Sequence, residues 1–173
     1  MDFARVIDAV STFLSDRSYP FAVIGGVAVA AYGMVRTTLD VDLVTSNNAQ
    51  ADLVEHLESR GYETIHRSTG YSNHVHEDPE LGRVDIVYVG GPTGESLFAG
   101  VRVVDGPGPH PIPVLRPEHL AAMKVFAIKN DPSRTHSELE DIRFLLTLEG
   151  VNSEEIRHHF EKHGLEKLYA EIV

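Results

Sequence analysis

Two aspartates, Asp40 and Asp42, stand one residue apart inside an apolar run, "TLDVDLVT". Leu39, Val41 and Leu43 alternate with them, which is the period of a β-strand whose two faces meet different surroundings. Residues two apart on a strand point the same way and lie about 6.5 to 7 Å apart along the chain. We therefore predict a strand with one face in the core and both carboxylates on the other.

This pair of carboxylates predicts a divalent cation. Two ionised groups side by side repel each other unless a counter-charge lies between them. Mg²⁺ removes the repulsion and prefers oxygen ligands such as these. The sequence therefore predicts a magnesium site at Asp40 and Asp42.

A third acid, Asp85, lies in another strand pattern, "GRVDIVYV", between Val84 and Ile86. If this strand is a neighbour of the first, three carboxylates meet in one place. Three carboxylates suit two metal ions about 3.5 to 4 Å apart, an arrangement that clamps the entering and leaving oxygens of a phosphoryl displacement. The alternative is that Asp85 belongs to the polar face of an edge strand.

Two glycines precede this stretch: Gly25 and Gly26 follow an apolar run, residues 21–24, and precede a run of small residues. We predict a strand, a glycine turn and a short helix in that order. A turn without side chains lets backbone N–H groups approach an anion, and the start of a helix favours phosphate. Most such pairs are only turns, so the glycines indicate a phosphate site in combination with the aspartates and not alone.

The remaining patterns predict an α+β fold, with a mixed β-sheet in the first two-thirds of the chain and helices after it. We expect residues 1–115 to form the α/β core and residues 116–173 a helical region packed on it within one domain. The predicted helices cover residues 3–14, 46–61, 116–130, 137–150 and 152–164, and the further strands 63–67, 73–76, 83–89 and 101–104. The Gly- and Pro-rich stretches "GGPTGES" and "DGPGPHP" are predicted as loops. The apolar stripe predicted for the first helix of the tail is Leu120, Met123, Phe126 and Ala127.

The charge balance narrows the range of partners. The chain of 173 residues has 15 basic and 26 acidic residues and a net charge of −11. This charge works against non-specific attachment to a nucleic acid, and the arginines are scattered, so we expect no nucleic-acid footprint. No window approaches the roughly 18 uninterrupted apolar residues of a membrane span. The N-terminus lacks the pattern of a signal peptide and the chain has no cysteine, so we expect a cytoplasmic protein without membrane contact.

Ten histidines are present, and two pairs have a spacing that suits zinc. His74 and His76 share a predicted strand face, and His159 and His163 lie one helical turn apart. Neither pair has a convincing third ligand. We therefore expect these histidines to be ordinary surface residues.

The stretch "GGVAVAAYGMVRTTLDVDLV" resembles the pattern of the DNA polymerase beta-like nucleotidyltransferase superfamily: a strand, a Gly-Gly or Gly-Ser turn, a short helix, and Asp-x-Asp on the next strand. It is similar above all to the small prokaryotic members, the minimal nucleotidyltransferases and AbiE-type toxin proteins. The matching residues are Gly25, Gly26, Ala28, Tyr32, Gly33, Arg36, Thr38, Asp40, Asp42 and Leu43. A fainter likeness continues through the helical region at Lys124, Arg134, Asp141 and Ile142.

The resemblance implies a nucleotidyltransferase-like mixed sheet with flanking helices. It implies that Gly25 and Gly26 hold the triphosphate of a nucleoside triphosphate, the substrate. Asp40 and Asp42 would bind Mg²⁺ or Mn²⁺. Asp85 would be the third acid, which aligns the attacking hydroxyl.

Two basic residues gain candidate roles from the same resemblance. Lys124 either reaches a phosphate or is a solvated charge on a helix. Arg36 either pairs with the carboxylates or contacts phosphate, because its fork of fixed donors suits both.

The implied function is a magnesium-dependent, ATP-binding nucleotidyltransferase that moves a nucleoside monophosphate from a nucleoside triphosphate onto a hydroxyl. The acceptor would be a partner protein, a tRNA end or a small molecule. The alternative is a non-catalytic, antitoxin-like module that binds a toxin as its protein partner in a toxin–antitoxin pair. A third function is that of an Asp-x-Asp glycosyltransferase, but those domains are usually larger and lack the Gly-Gly turn at this distance.

Overall fold

A seven-stranded mixed sheet forms the centre of Met1–Leu115, the first of two compact units in the computed structural model, which describes all 173 residues. The strands are β1 (Phe21–Ile24), β2 (Asp40–Ser46), β3 (Glu63–Arg67), β4 (Tyr71–Val75), β5 (Arg83–Val89), β6 (Val101–Asp105) and β7 (Pro111–Leu115). Their order across the sheet is β3-β4-β5-β2-β1-β7-β6. The pairs β2·β5 and β1·β7 are parallel, and the other neighbours are antiparallel. The predicted α+β class with a mixed sheet is confirmed.

Four helices accompany this sheet: α1 (Phe3–Asp16), α2 (Gly25–Ala31), α3 (Gln50–Ser59) and α4 (Gly91–Ala99). Asp2 caps α1 by accepting a hydrogen bond from the backbone N–H of Arg5 at 3.0 Å. The apolar stripe of α1 is buried at Val6, Ile7, Val10, Phe13 and Leu14. α1 and α3 contact each other where the rings of Phe13 and His56 stack with centroids 3.9 Å apart.

The two faces of β2 differ as predicted. Val41 and Leu43 are fully buried, and they lie beside the buried Val84 and Ile86 of the parallel strand β5. The intervening aspartates of β2 point to the other face. Leu39 departs from the prediction, because β2 begins only at Asp40 and the leucine side chain is 81% exposed.

One helix, α4, lies where a loop was predicted, and one strand, β7, was not predicted. α4 occupies the "GGPTGES" stretch, with Gly91 at φ +57° and the proline in its first turn, where a missing N–H costs no helical hydrogen bond. β7 occupies residues 111–115 although it contains two prolines, and Pro113 pairs with Val103 of β6. The glycine and proline composition predicted loops because it reflects local backbone preference. β7 is nevertheless a strand because it pairs with its neighbours in the sheet.

The second unit, Arg116–Val173, is helical: α5 (Pro117–Asn130), α6 (Thr135–Leu146), α7 (Ser153–Lys162) and α8 (Glu166–Ala170). α7 begins after Asn152, whose side chain accepts a hydrogen bond from the backbone N–H of Glu155 at 3.2 Å. The largest fully buried side chains of this unit include Ile128, Ile142, Leu145 and Phe160. Every helix of the protein is too short or too polar to span a lipid bilayer.

The buried stripe of α5 differs from the predicted one. It consists of Leu120, Ala121, Lys124, Val125 and Ile128, whereas Phe126 is 57% exposed. The observed and predicted stripes differ because Lys124 is buried. A sequence pattern treats lysine as solvent-facing, but here its ammonium is buried with acidic partners, and the stripe is a regular helical one once it is included.

Candidate active site

Three carboxylates meet on the face of the sheet opposite the buried one. Asp42 of β2 and Asp85 of β5 are direct register partners in parallel strands, and Asp40 lies two residues earlier on β2. Each residue offers one carboxylate oxygen to a set in which all oxygens lie within 4.8 Å of one another. All three residues are half-buried. We refer to Asp40, Asp42 and Asp85 as the acidic triad.

Thr38 fixes one member of the triad. Its hydroxyl donates a hydrogen bond of 3.0 Å to Oδ1 of Asp40. The threonine precedes β2 and lies in the connection from α2. A hydroxyl that holds a carboxylate in one orientation preorganises it for ligand binding. Thr38 matched the family pattern in sequence, but its bond to Asp40 was not predicted.

The two glycines pack directly against these residues. A Cβ at Gly25 would lie 2.0 Å from Oδ2 of Asp42, and one at Gly26 would lie 2.6 Å from Oγ1 of Thr38. Gly25 also has φ +63°, a conformation that residues with a side chain avoid. The glycines are the first two residues of α2, not a turn before it as predicted. Glycine occupies these positions because only a backbone without a side chain can pass this close to the carboxylate.

Asp85 is held from its own strand and from β4. The side-chain amide of Asn73, its register partner, donates to Oδ1 at 2.8 Å. Nε of Arg83 donates to both carboxylate oxygens, at 2.9 and 3.0 Å. The hydrogen bond to Asp85 raises the pKa of Arg83 above its ordinary value, and the charges of Asp40 and Asp42 act in the same direction.

The sequence prediction missed Arg83 and Asn73 as neighbours of the triad. Arg83 was detectable, because residues two apart on a strand share a face and Asp85 was already identified. Asn73 was not, because its place opposite Asp85 depends on the register between β4 and β5, which the sequence does not show.

The two basic candidates lie in different units. Cζ of Arg36 lies 3.5 Å from the position that a Cβ on Gly26 would take, so this guanidinium is next to the glycines. Lys124 lies in the second unit, where its ammonium donates to Glu138 at 2.8 Å and to Asp141 at 2.5 Å. The predicted phosphate contact of Lys124 stays a prediction.

The prediction that the paired histidines are ordinary surface residues is wrong at His74, which is fully buried. Its Nε2 lies 2.7 Å from the hydroxyl of Ser72, and its Nδ1 lies 3.1 Å from that of Thr64. Both ring nitrogens therefore have hydroxyl partners within the fold. Burial lowers the pKa of His74 below its ordinary value.

The triad fits a divalent cation by its donor set. Carboxylate oxygens are the ligands that Mg²⁺ and Mn²⁺ prefer. Three converging carboxylates repel one another, and a dication placed among them would remove that repulsion. The residues that would hold the ion are Asp40, Asp42 and Asp85.

The fold that carries this site is the nucleotidyltransferase fold, as the sequence pattern predicted. The solution structure of the antibiotic-resistance factor ANT(2'')-Ia matches 99% of this chain and 97% of its own, with a TM-score of 0.69 and 17% identity. A crystal structure of ANT(2'')-Ia in complex with adenylyl-2''-tobramycin matches 93% and 97%, with a TM-score of 0.68 and 15% identity. The lincosamide antibiotic adenylyltransferase LnuA, bound to lincomycin, matches 83% of this chain and 96% of its own, with a TM-score of 0.60 and 16% identity. No protein-family model matches the sequence, and neither does any curated protein.

Proposed function

We propose that this protein is a nucleotidyltransferase that depends on Mg²⁺ or Mn²⁺ and moves a nucleoside monophosphate from a nucleoside triphosphate onto a hydroxyl group. One observation carries the proposal: Asp40, Asp42 and Asp85 converge within 4.8 Å on the open face of a nucleotidyltransferase fold. An alternation of buried apolar and exposed polar residues would by itself explain a strand with one polar face. It would not explain glycines packed against Asp42 and an arginine held by Asp85.

In the proposed reaction, the acceptor oxygen attacks the α-phosphorus of the nucleotide. The bond from that phosphorus to the oxygen bridging the α- and β-phosphates breaks, and pyrophosphate leaves. The hydroxyl proton passes to the carboxylate of Asp85, which lies on β5, the strand of the triad that pairs with β4. A divalent cation, when bound, supplies the positive charge that stabilises the phosphoryl oxygens in the transition state.

Gly25 and Gly26 are proposed to hold the triphosphate. The contact between Gly25 and the carboxylate of Asp42 supports this role, because it brings bare backbone to the side of the triad away from Asp85. Arg36, next to Gly26, would place a guanidinium against a phosphate oxygen there. The nucleotide and the acceptor would then approach the triad from opposite sides.

We propose ATP as the nucleotide and a small molecule as the acceptor. The structural neighbours support this choice, since one is in complex with adenylyl-2''-tobramycin and the other is an adenylyltransferase bound to lincomycin. The net charge of −11 disfavours an RNA acceptor. A hydroxyl on a partner protein is the remaining acceptor class that the experiment includes.

The experiment is a transfer assay with α-labelled ATP, GTP, CTP or UTP and Mg²⁺ or Mn²⁺. The acceptors are tobramycin, lincomycin, bulk tRNA and a cell lysate. Wild-type protein is compared with Asp42→Asn and with Asp105→Asn, which makes the same charge change on the exposed strand β6. We expect ATP-dependent labelling that Asp42→Asn reduces at least about 100-fold and Asp105→Asn leaves unchanged.

Two results would contradict the proposal. One is the absence of labelling with every nucleotide and acceptor, together with no rise in melting temperature when Mg²⁺ and ATP are added. The other is a partner protein that co-purifies equally with wild-type and Asp40→Ala protein while neither labels anything. That second result would favour the non-catalytic binding module.

A further inference from the structure

We infer that the guanidinium of Arg83 acts as an internal cation bound to the carboxylate of Asp85. It competes with a divalent cation for that carboxylate. The inference rests on the metal site of the proposed function and concerns how that site is filled. Arg83 would thus set the metal concentration at which a divalent cation binds all three carboxylates of the acidic triad.

The hydrogen bonds of Asp85 use three of the four lone-pair sites on its carboxylate oxygens. A carboxylate oxygen has two lone-pair sites. Both sites of Oδ1 are used, one by Asn73 at 2.8 Å and one by Nε of Arg83 at 2.9 Å. Oδ2 accepts from the same Nε at 3.0 Å. A cation that binds Asp85 through both oxygens must therefore displace the arginine.

Repulsion between the guanidinium of Arg83 and a dication makes the competition for Asp85 stronger. The Cα register partner of Arg83 is Asp40, and Asp85 follows two residues later on the same face, so the guanidinium lies beside two members of the triad. The positive charge relieves the repulsion among the three carboxylates when no metal is bound. A dication placed among the same carboxylates would be close to this guanidinium and repelled by it.

The arginine is also free to leave. Its side chain is 45% exposed, whereas that of Asp85 is 19% exposed. The side-chain hydrogen bonds of Arg83 both run from Nε to Asp85, so its release breaks this one ion pair and returns the guanidinium to water. Asn73 still orients Asp85 afterwards. The Arg83–Asp85 ion pair is therefore formed in this structure and is able to dissociate.

The test is a titration of the protein with Mn²⁺ alone, followed by the electron paramagnetic resonance signal of the free ion. Wild-type protein is compared with Arg83→Gln and with Arg102→Gln, which removes the same charge on the exposed strand β6. We expect Arg83→Gln to lower the Kd for Mn²⁺ about 5-fold or more and Arg102→Gln to leave it unchanged. An equal or higher Kd in Arg83→Gln would overturn the inference.

A thermal measurement separates this role from a merely structural one. Without metal, Arg83→Gln should melt at a lower temperature than wild type, since Asp85 loses its counter-charge. With saturating Mn²⁺ the variant should gain more in melting temperature than wild type does. Equal gains would show that Arg83 only stabilises the fold.

A measurement on the wild type covers the case in which Arg83→Gln does not fold. The Nε–H resonance of Arg83, assigned by its loss in Arg83→Lys, should move toward the position of a solvated arginine as Mg²⁺ is added. A resonance that stays in place while Mg²⁺ binds would overturn the inference. If wild-type protein binds neither ion, the metal site of the proposed function fails, a result distinct from failure of the arginine's role.

Discussion

Asp42 and Asp85 are direct register partners in the parallel strands β2 and β5. Register partners point to the same face of a sheet, so the pairing itself brings their carboxylates together. A slip of one residue would turn Asp85 to the other face and bring Val84 or Ile86 in its place. The core prevents this slip, because Val84 and Ile86 are fully buried in the observed register.

Gly25→Ala should destabilise the protein by more than its backbone conformation alone explains. A Cβ at Gly25 would lie 2.0 Å from Oδ2 of Asp42, in a residue with φ +63°. Gly91→Ala is the matched control, since Gly91 has φ +57° and open space around a Cβ. We expect a loss of about 1 to 2 kcal/mol for the control and a clearly larger loss for Gly25→Ala in urea denaturation. Equal losses would show that Asp42 moves aside without cost.

Thr38→Val should weaken metal binding without removing a metal ligand. The change keeps the side-chain shape and deletes the hydroxyl that donates to Asp40 at 3.0 Å. Loss of such a supporting bond typically costs about 10- to 100-fold in affinity, which a Mn²⁺ titration measures. Thr38→Ser retains the hydroxyl and should stay within a few-fold of wild type. The bond is unimportant if the valine and serine variants bind Mn²⁺ equally.

Lys124→Met should destabilise the protein strongly. The change leaves Glu138 and Asp141 buried without the ammonium that both accept from, and breaking a buried pair in this way costs about 3 to 5 kcal/mol. Lys129→Met on the exposed side of the same helix should cost less than about 0.5 kcal/mol. Denaturant unfolding measures both.

The same Lys124→Met variant tests the predicted phosphate contact. If Lys124 acts only within its buried cluster, the affinity for ATP, measured below the melting temperature of the variant, should equal that of the wild type. A weaker affinity for ATP in Lys124→Met, with Lys129→Met unchanged, would show that the lysine also reaches the nucleotide.

The buried His74 should make the protein less stable in mild acid. The hydroxyl of Thr64 donates to Glu58 at 2.7 Å, so Nδ1–H of His74 donates to that hydroxyl and Nε2 accepts from Ser72. The neutral ring satisfies this chain of bonds, which continues from Ser72 to Tyr88 at 2.8 Å. A proton on Nε2 would reverse the Ser72 bond and place a charge in the core.

The direction of the effect follows from the lowered pKa of His74 in the folded protein. The unfolded chain takes up this proton near pH 6.5 while the folded one does not, so stability is fully present above about pH 6.5 and falls as the pH drops below it. We expect the fall in unfolding free energy from pH 7.5 to pH 5.5 to be smaller in His74→Gln than in wild type. His136→Gln, whose ring is 92% exposed, should keep the wild-type fall, and an identical fall in His74→Gln would contradict the assignment.

Elements with a strong period were predictable from sequence. The bounds of β1, β3 and β5 match the predicted ranges, and the alternation around Asp40 and Asp42 gave the acidic face correctly. The missed elements, α4 and β7, both contain prolines, and α4 also contains two glycines, residues that locally favour loops. Pairing with β6 places β7 in the sheet despite this preference, and such pairing is not visible in a local pattern.

The members of the acidic triad were predictable, but the residues that hold them were less so. Asp85 required only the assumption that two strands are neighbours, which the sheet order confirms. Its contact with Asn73 required a register, and the buried Lys124 required partners from another helix. Polar residues gain these roles from distant parts of the chain, so single-sequence patterns assign them to solvent.

The parallel pairing of β2 with β5 has a consequence for folding during synthesis of the chain. Pairings between distant parts of a chain form late, because a long loop must close before any contact rewards it. On the ribosome, a nascent chain therefore carries its Asp-x-Asp pair through the synthesis of α3 and the β3–β4 hairpin before the third carboxylate exists. Asp85 therefore joins Asp40 and Asp42 only after β5 has been synthesised and paired with β2.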